Sequence, residues 1–159
     1  MEKRLIQLSI TVFTLLFSLN CGLAQDYALG GRAGFSTFNS SLGLQIGPTF
    51  DFRIKKDLLI ATEFNINTQG GTPVEWANTV KYLLPNSASD LQPYLDGGFG
   101  IWFVNGGPYY ALRGGGGAWF KIAPDMYVPA DVQLGPVFST GSTAFYFAIT
   151  SGIRYILPM

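Results

Sequence analysis

Apolar and polar residues alternate without a break along 42–54, Leu-Gly-Leu-Gln-Ile-Gly-Pro-Thr-Phe-Asp-Phe-Arg-Ile. Leu42, Leu44, Ile46, Pro48, Phe50, Phe52 and Ile54 fall on one parity; Gly43, Gln45, Gly47, Thr49, Asp51 and Arg53 fall on the other. Side chains on a strand point alternately to its two faces, so this stretch is a strand with one apolar and one polar face. Its thirteen residues exceed the usual globular strand of about 5–6. They suffice for a tilted strand to cross a bilayer, which takes about 9–11. The same alternation recurs at 27–38, 58–68, 74–84, 92–104, 109–122, 126–138 and 143–157. Turn-forming residues separate the segments, among them Lys55-Lys56-Asp57, Gln69-Gly70-Gly71-Thr72-Pro73, Asn105-Gly106-Gly107-Pro108 and Ala123-Pro124-Asp125. The pattern predicts an all-β chain: eight antiparallel strands in up-and-down order, closed into a barrel so that no edge is left open.

Periodicity alone does not say which face is inside. Charge does. On this register every charged strand residue lies on the polar face: Arg32, Arg53, Lys81, Arg113, Lys121 and Arg154 against Asp51, Glu63, Glu75, Asp96 and Asp131. Six bases against five acids, interleaved with glycines, suit a narrow lumen filled by ion pairs. The charge-free face suits hydrocarbon. Aromatic residues gather near both strand ends, with Tyr27, Phe50, Phe52, Tyr82, Phe120 and Tyr155 towards one and Phe35, Trp76, Phe103, Tyr110, Phe138 and Phe145 towards the other. Two such belts match the two bilayer interfaces. Trp119 falls on the lumen side, where it fills space.

The first residues read differently. Lys3 and Arg4 precede a mostly apolar run from 5 to 19, and Gly22 and Ala24 supply the small residues that a signal peptidase requires. The expectation is a signal peptide at 1–24 and a barrel domain at 25–159. A retained membrane helix is disfavoured by Gln7, Ser9, Thr11 and Thr14, and a lipid anchor on Cys21 by the poor match of Ser18-Leu19-Asn20. Cleavage leaves no cysteine, and eight basic residues then face nine acidic ones.

That balance gives no reason to expect a nucleic-acid partner. The chain has no histidine, which removes the commonest general base and transition-metal ligand. Gly114-Gly115-Gly116-Gly117 lacks the Lys-Ser/Thr pair and the helix of a phosphate loop, so it reads as a run that lets a curved strand bend. The five strand carboxylates read as lumen ion pairs rather than as an acid–base couple. Lys55 and Lys56 read as a solvated turn. No catalytic residue, cofactor or metal is expected.

The whole pattern from 25 to 159 resembles the small eight-stranded outer-membrane β-barrel proteins of Gram-negative bacteria. One local motif carries part of the likeness. Thr150 is followed two positions later by Gly152 and then by the hydrophobic Tyr155 and Leu157, similar to the final-strand signal read by the barrel-assembly machinery. The chain departs from that family in ending Leu157-Pro158-Met159 rather than on an aromatic residue. The resemblance implies a transmembrane barrel in the cell outer membrane, with the lipid bilayer and the assembly machinery as partners. It also implies a non-enzymatic, structural or interaction role. The connections at 39–41, 69–73, 105–108 and 139–142, which would face outwards from the cell, are too short for a loop-borne receptor. Two other roles fit the alternation: a soluble periplasmic calycin-like carrier of an apolar ligand, and a minor pore.

Overall fold

The computed structural model describes residues 26–38, 41–69, 73–85, 90–104, 107–139 and 141–157; the expected signal peptide lies outside them. Eight strands follow one another: β1 (Asp26–Phe38), β2 (Ser41–Lys55), β3 (Leu58–Asn67), β4 (Val74–Leu83), β5 (Leu91–Val104), β6 (Gly107–Ala123), β7 (Met126–Ser139) and β8 (Ser142–Leu157). Each pairs antiparallel with the next, and β1 pairs with β8 from Tyr27↔Leu157 to Phe38↔Tyr146, so the sheet is a closed barrel. The all-β, eight-stranded, up-and-down expectation therefore holds, and the alternation placed the strand ends closely.

The apolar face points outwards. Leu42, Phe35, Ile46 and Phe145 are all more than half exposed, at 68%, 58%, 59% and 58%. The lumen-facing parity holds Arg32, Asp51, Glu63, Glu75, Lys81, Arg113, Asp131 and Arg154, all buried. A calycin-like carrier needs the opposite arrangement, an apolar lumen around an apolar ligand. Phe52 departs from the exposed outer face, being buried edge-on against Tyr27. A polar pair also sits on that face, where Thr62 donates to the amide oxygen of Asn78 at 2.8 Å. Phe50 and Phe99 flank the pair at the same level of the sheet.

The glycine run in β6 shows how tightly the sheet is rolled. Gly114 faces open space on the outside, while a side chain at Gly115 would be driven into the backbone carbonyl of Val132 on β7. Gly117 makes room in the same way for the carbonyl of Ala130 and the ring hydroxyl of Tyr94. Gly115→Ala is therefore expected to destabilise the barrel by about 1–3 kcal/mol through overpacking. Gly114→Ala is expected to be neutral or to stabilise it by about 0.4–1 kcal/mol, through a less flexible unfolded chain. Urea unfolding in detergent micelles of the two variants, only one position apart, reads the difference.

Candidate functional site

The site is the lumen, which the side chains fill in layers. Its middle is ionic. Arg32 on β1 reaches Glu63 on β3 through Nη1, Thr150 on β8 through Nε at 3.1 Å, and Asp131 on β7 through Nη2 at 3.4 Å. Arg113 on β6 places Nη1 at 3.3 Å from both Glu63 and Glu75. Its Nη2 donates to Gln133 and, at 2.9 Å, to the hydroxyl of Tyr146. Tyr146 in turn donates to Gln45 Oε1 at 3.0 Å, and Asn65 donates to Glu75 Oε2 at 3.1 Å. With Asp96 on β5, which accepts from Gln133, all eight strands thus contribute to one hydrogen-bonded layer. A buried charge is tolerable only when paired and bonded in this way.

Aromatic plugs close the layer from both sides. Towards the end where β1 meets β2, Trp102 is fully buried, stacked on Phe38 with centroids 5.0 Å apart and edge-on to Tyr146 at 5.3 Å. Towards the end where the chain enters and leaves the barrel, the rings of Tyr94 and Trp119 lie 5.0 Å apart, centroid to centroid, in a cluster with Leu59 and Leu83. A second ionic group sits there: Asp51 takes Arg154 at 2.5 Å and Lys81 at 3.9 Å. The Arg154 guanidinium lies 4.1 Å from the Trp119 ring centre, a cation–π contact.

The charged residues expected to form a single network are therefore divided. Arg32, Glu63, Glu75, Arg113 and Asp131 meet in the middle, and Asp51, Lys81 and Arg154 near one end. Arg53 pairs at 3.1 Å with the half-exposed Asp26 at the rim. Asp96 accepts from Gln133 Nε2 at 3.0 Å, and among the described residues no base lies within ion-pair distance of it. Lys121 is a correction: it keeps the lumen parity, opposite Tyr127, but lies two residues past the buried Trp119 near the end of β6, where it is exposed rather than part of the filled lumen. Gly152 lies against the backbone of Gly31 across the seam, and Tyr155 and Leu157 are exposed on the outer face. Sequence reasoning missed Tyr94, Trp102 and Tyr146 as lumen residues. Parity alone finds them, since Tyr94 and Trp102 share that of Asp96 in β5 and Tyr146 that of Arg154 in β8.

No protein-family model matches the chain, and neither does any curated protein. Solved structures do. A de novo designed transmembrane β-barrel superposes with a TM-score of 0.65 at 13% identity, over 84% of this chain and 97% of that one. Neisserial surface protein A gives 0.64 at 14%, over 81% and 96%. The fold is that of the small eight-stranded outer-membrane barrels. The N-terminal β-barrel domain of OprF from Pseudomonas aeruginosa adds a further likeness, with a TM-score of 0.59 at 10% identity over 80% of this chain and 97% of the domain. At such identities the likeness is one of architecture, and what each barrel's lumen and rims do depends on its own residues.

Proposed function

We propose that this protein is a non-enzymatic, structural barrel of the cell outer membrane, its lumen sealed by the ion-pair and aromatic layers. The observation that carries the reading is the outer surface. Apolar residues from all eight strands lie exposed around the barrel, between the rim aromatics Tyr82, Phe120 and Tyr155 and their counterparts Phe35, Phe103, Tyr110 and Phe138. Soluble monomers rarely expose contiguous apolar patches beyond a few hundred Å². A bilayer requires such a surface, and a closed barrel is the only β-structure that leaves no backbone group unpaired within it. The interior of an eight-stranded barrel is just wide enough for side chains to fill. Here they fill it, which favours a closed barrel over a pore.

Residues 1–24 act as the export signal. The outward-facing Tyr155 and Leu157 of β8, with Gly152, form the signal read by the barrel-assembly machinery. The strand ends leave little room for loop-borne recognition, since the longest connection is 84–90. Membrane fractionation with a heat-shift gel tests the reading. The protein should stay with the membrane until detergent is added and should migrate differently when boiled. Release into the periplasm without detergent sinks the proposal. In planar bilayers the folded barrel should be electrically silent, and steady unitary currents would replace the sealed-barrel reading with the pore.

A further inference from the structure

Where the chain enters and leaves the barrel, the lumen does not close flush. A cavity of about 670 Å³ opens there, within the range of small-molecule sites. Two features distinguish it from a solvent-filled dent. First, its lining comes from both faces of the sheet: Trp119 and Arg154 from the lumen, Tyr82 and Leu91 from the lipid-facing side. Second, two buried donors on the lining residues have no hydrogen-bond partner among the described residues, the indole Nε1 of Trp119 and Nη1 of Arg154. Trp119 is 2% exposed and Arg154 4%. A buried donor left unbonded is costly, and a ligand or ordered water normally takes it.

The charges are graded with depth. Beneath the cavity Arg154 and Lys81 share the single carboxylate of Asp51. Lys81, the deeper of the two bases, also faces the middle layer, where Glu63, Glu75 and Asp131 outnumber Arg32 and Arg113, which leaves Arg154 as the positive group at the cavity. Arg53 and Lys56 add positive charge along the wall, Arg53 being matched by Asp26. Asp57 and Asp90 also line the cavity; like Lys56 they are exposed in the connections, where water and salt screen all three, so the unscreened charge of the site is that of Arg154.

We propose that this rim cavity binds a single anionic amphiphile. Its carboxylate or phosphate is taken by the guanidinium of Arg154 through the unbonded Nη1, and its apolar body lies over the rim along Tyr82 and Leu91. Such a molecule arrives either from the water or from the adjoining leaflet, and the chemistry is the same. The proposal rests on the reading that the strands span a bilayer. A protein that fails to insert reveals itself on the heat-shift gel before any ligand is added.

The test uses the full-length mature protein in phosphatidylcholine vesicles. Trp76→Phe together with Trp102→Phe leaves Trp119 as the only tryptophan, and calorimetry on the unaltered chain provides a second readout. In one arm hexanoate, hexanol, hexylamine and inorganic phosphate are titrated from solution; in the other, oleate or phosphatidic acid is built into the vesicles. Saturable heat with hexanoate and a shift in Trp119 emission, neither seen with hexanol or hexylamine, support a water-borne ligand. A response confined to the doped vesicles supports a lipid. Asp51→Asn combined with Arg154→Gln, which removes one charge of each sign, should weaken binding by about tenfold or more, as loss of a charge-assisted contact implies. Lys56→Gln, outside the lumen and harmless to folding, should weaken it by a smaller factor. Equal responses to hexanol and hexanoate, silence in both arms, or unchanged affinity in the double variant overturns the proposal.

Discussion

Arg113→Ala is expected to lower the unfolding free energy of the barrel by about 3–5 kcal/mol, the usual cost of stripping one partner from a buried ion pair. Arg113 is the only base that the structure places within ion-pair distance of Glu75 among the described residues, at 3.3 Å, and both side chains are wholly buried. Glu63 keeps Arg32, so the loss falls mainly on Glu75, which retains only the amides of Asn65 and Gln45. Tyr146 and Gln133 lose their donor as well. The companion variant Arg113→Ala/Glu75→Gln removes the stranded charge and should recover much of the loss, which a double-mutant cycle reads directly. Urea midpoints in detergent settle the matter; an unchanged midpoint for Arg113→Ala means that water reaches the pair. The cycle also separates two roles for the layer. If the double variant is as stable as the parent, the ion pairs fix which side chains meet in the lumen rather than adding net stability.

Trp102→Ala is expected to cost a similar amount, about 3–5 kcal/mol, for a different reason: it leaves a cavity in the plug above the ionic layer. Trp102 is fully buried between Phe38 and Tyr146, so little can move in to fill the space. Trp102→Phe, which retains a ring to stack on Phe38, should lose much less. The variant also tests which layer seals the barrel. Arg113 remains tethered to Glu63 and Glu75 below the missing indole, so Trp102→Ala should unfold earlier yet pass no current in planar bilayers. Currents in this variant alone would assign the seal to the aromatic plug.

Most of the fold was legible in the sequence because a half-lipid, half-lumen strand has a two-residue period that turns interrupt sharply. The strands at 27–38 and 126–138 were placed to within a residue of β1 and β7 for that reason. The pairing inside the lumen was not legible. Which carboxylate meets which base depends on how the strands slide past one another, and nothing local to Asp51 announces that Arg154, from the last strand, will reach it. Strand ends mislead for a different reason: Lys121 keeps the inward parity, opposite Tyr127, but lies past the buried Trp119, where the barrel end is open to solvent. Thr62 and Asn78 reveal a further limit. Polar residues on the lipid side escape notice one strand at a time, and only the register shows that they satisfy each other.

The seam between β1 and β8 sets the order in which such a molecule can be made. Every other strand pair is a hairpin between neighbours, whereas β1, paired on one edge with β2 through Tyr27↔Phe52, must wait for Leu157 and the rest of β8 before its other edge has a partner. Local hairpins form quickly, and the ring can shut only after the last strand has arrived. Until then two bare strand edges would meet hydrocarbon, where each unsatisfied backbone group costs several kcal/mol. A ring short of one strand is therefore no resting state in the bilayer. Insertion and closure must proceed together, or the unfinished edges must be held by another protein until the seam is made.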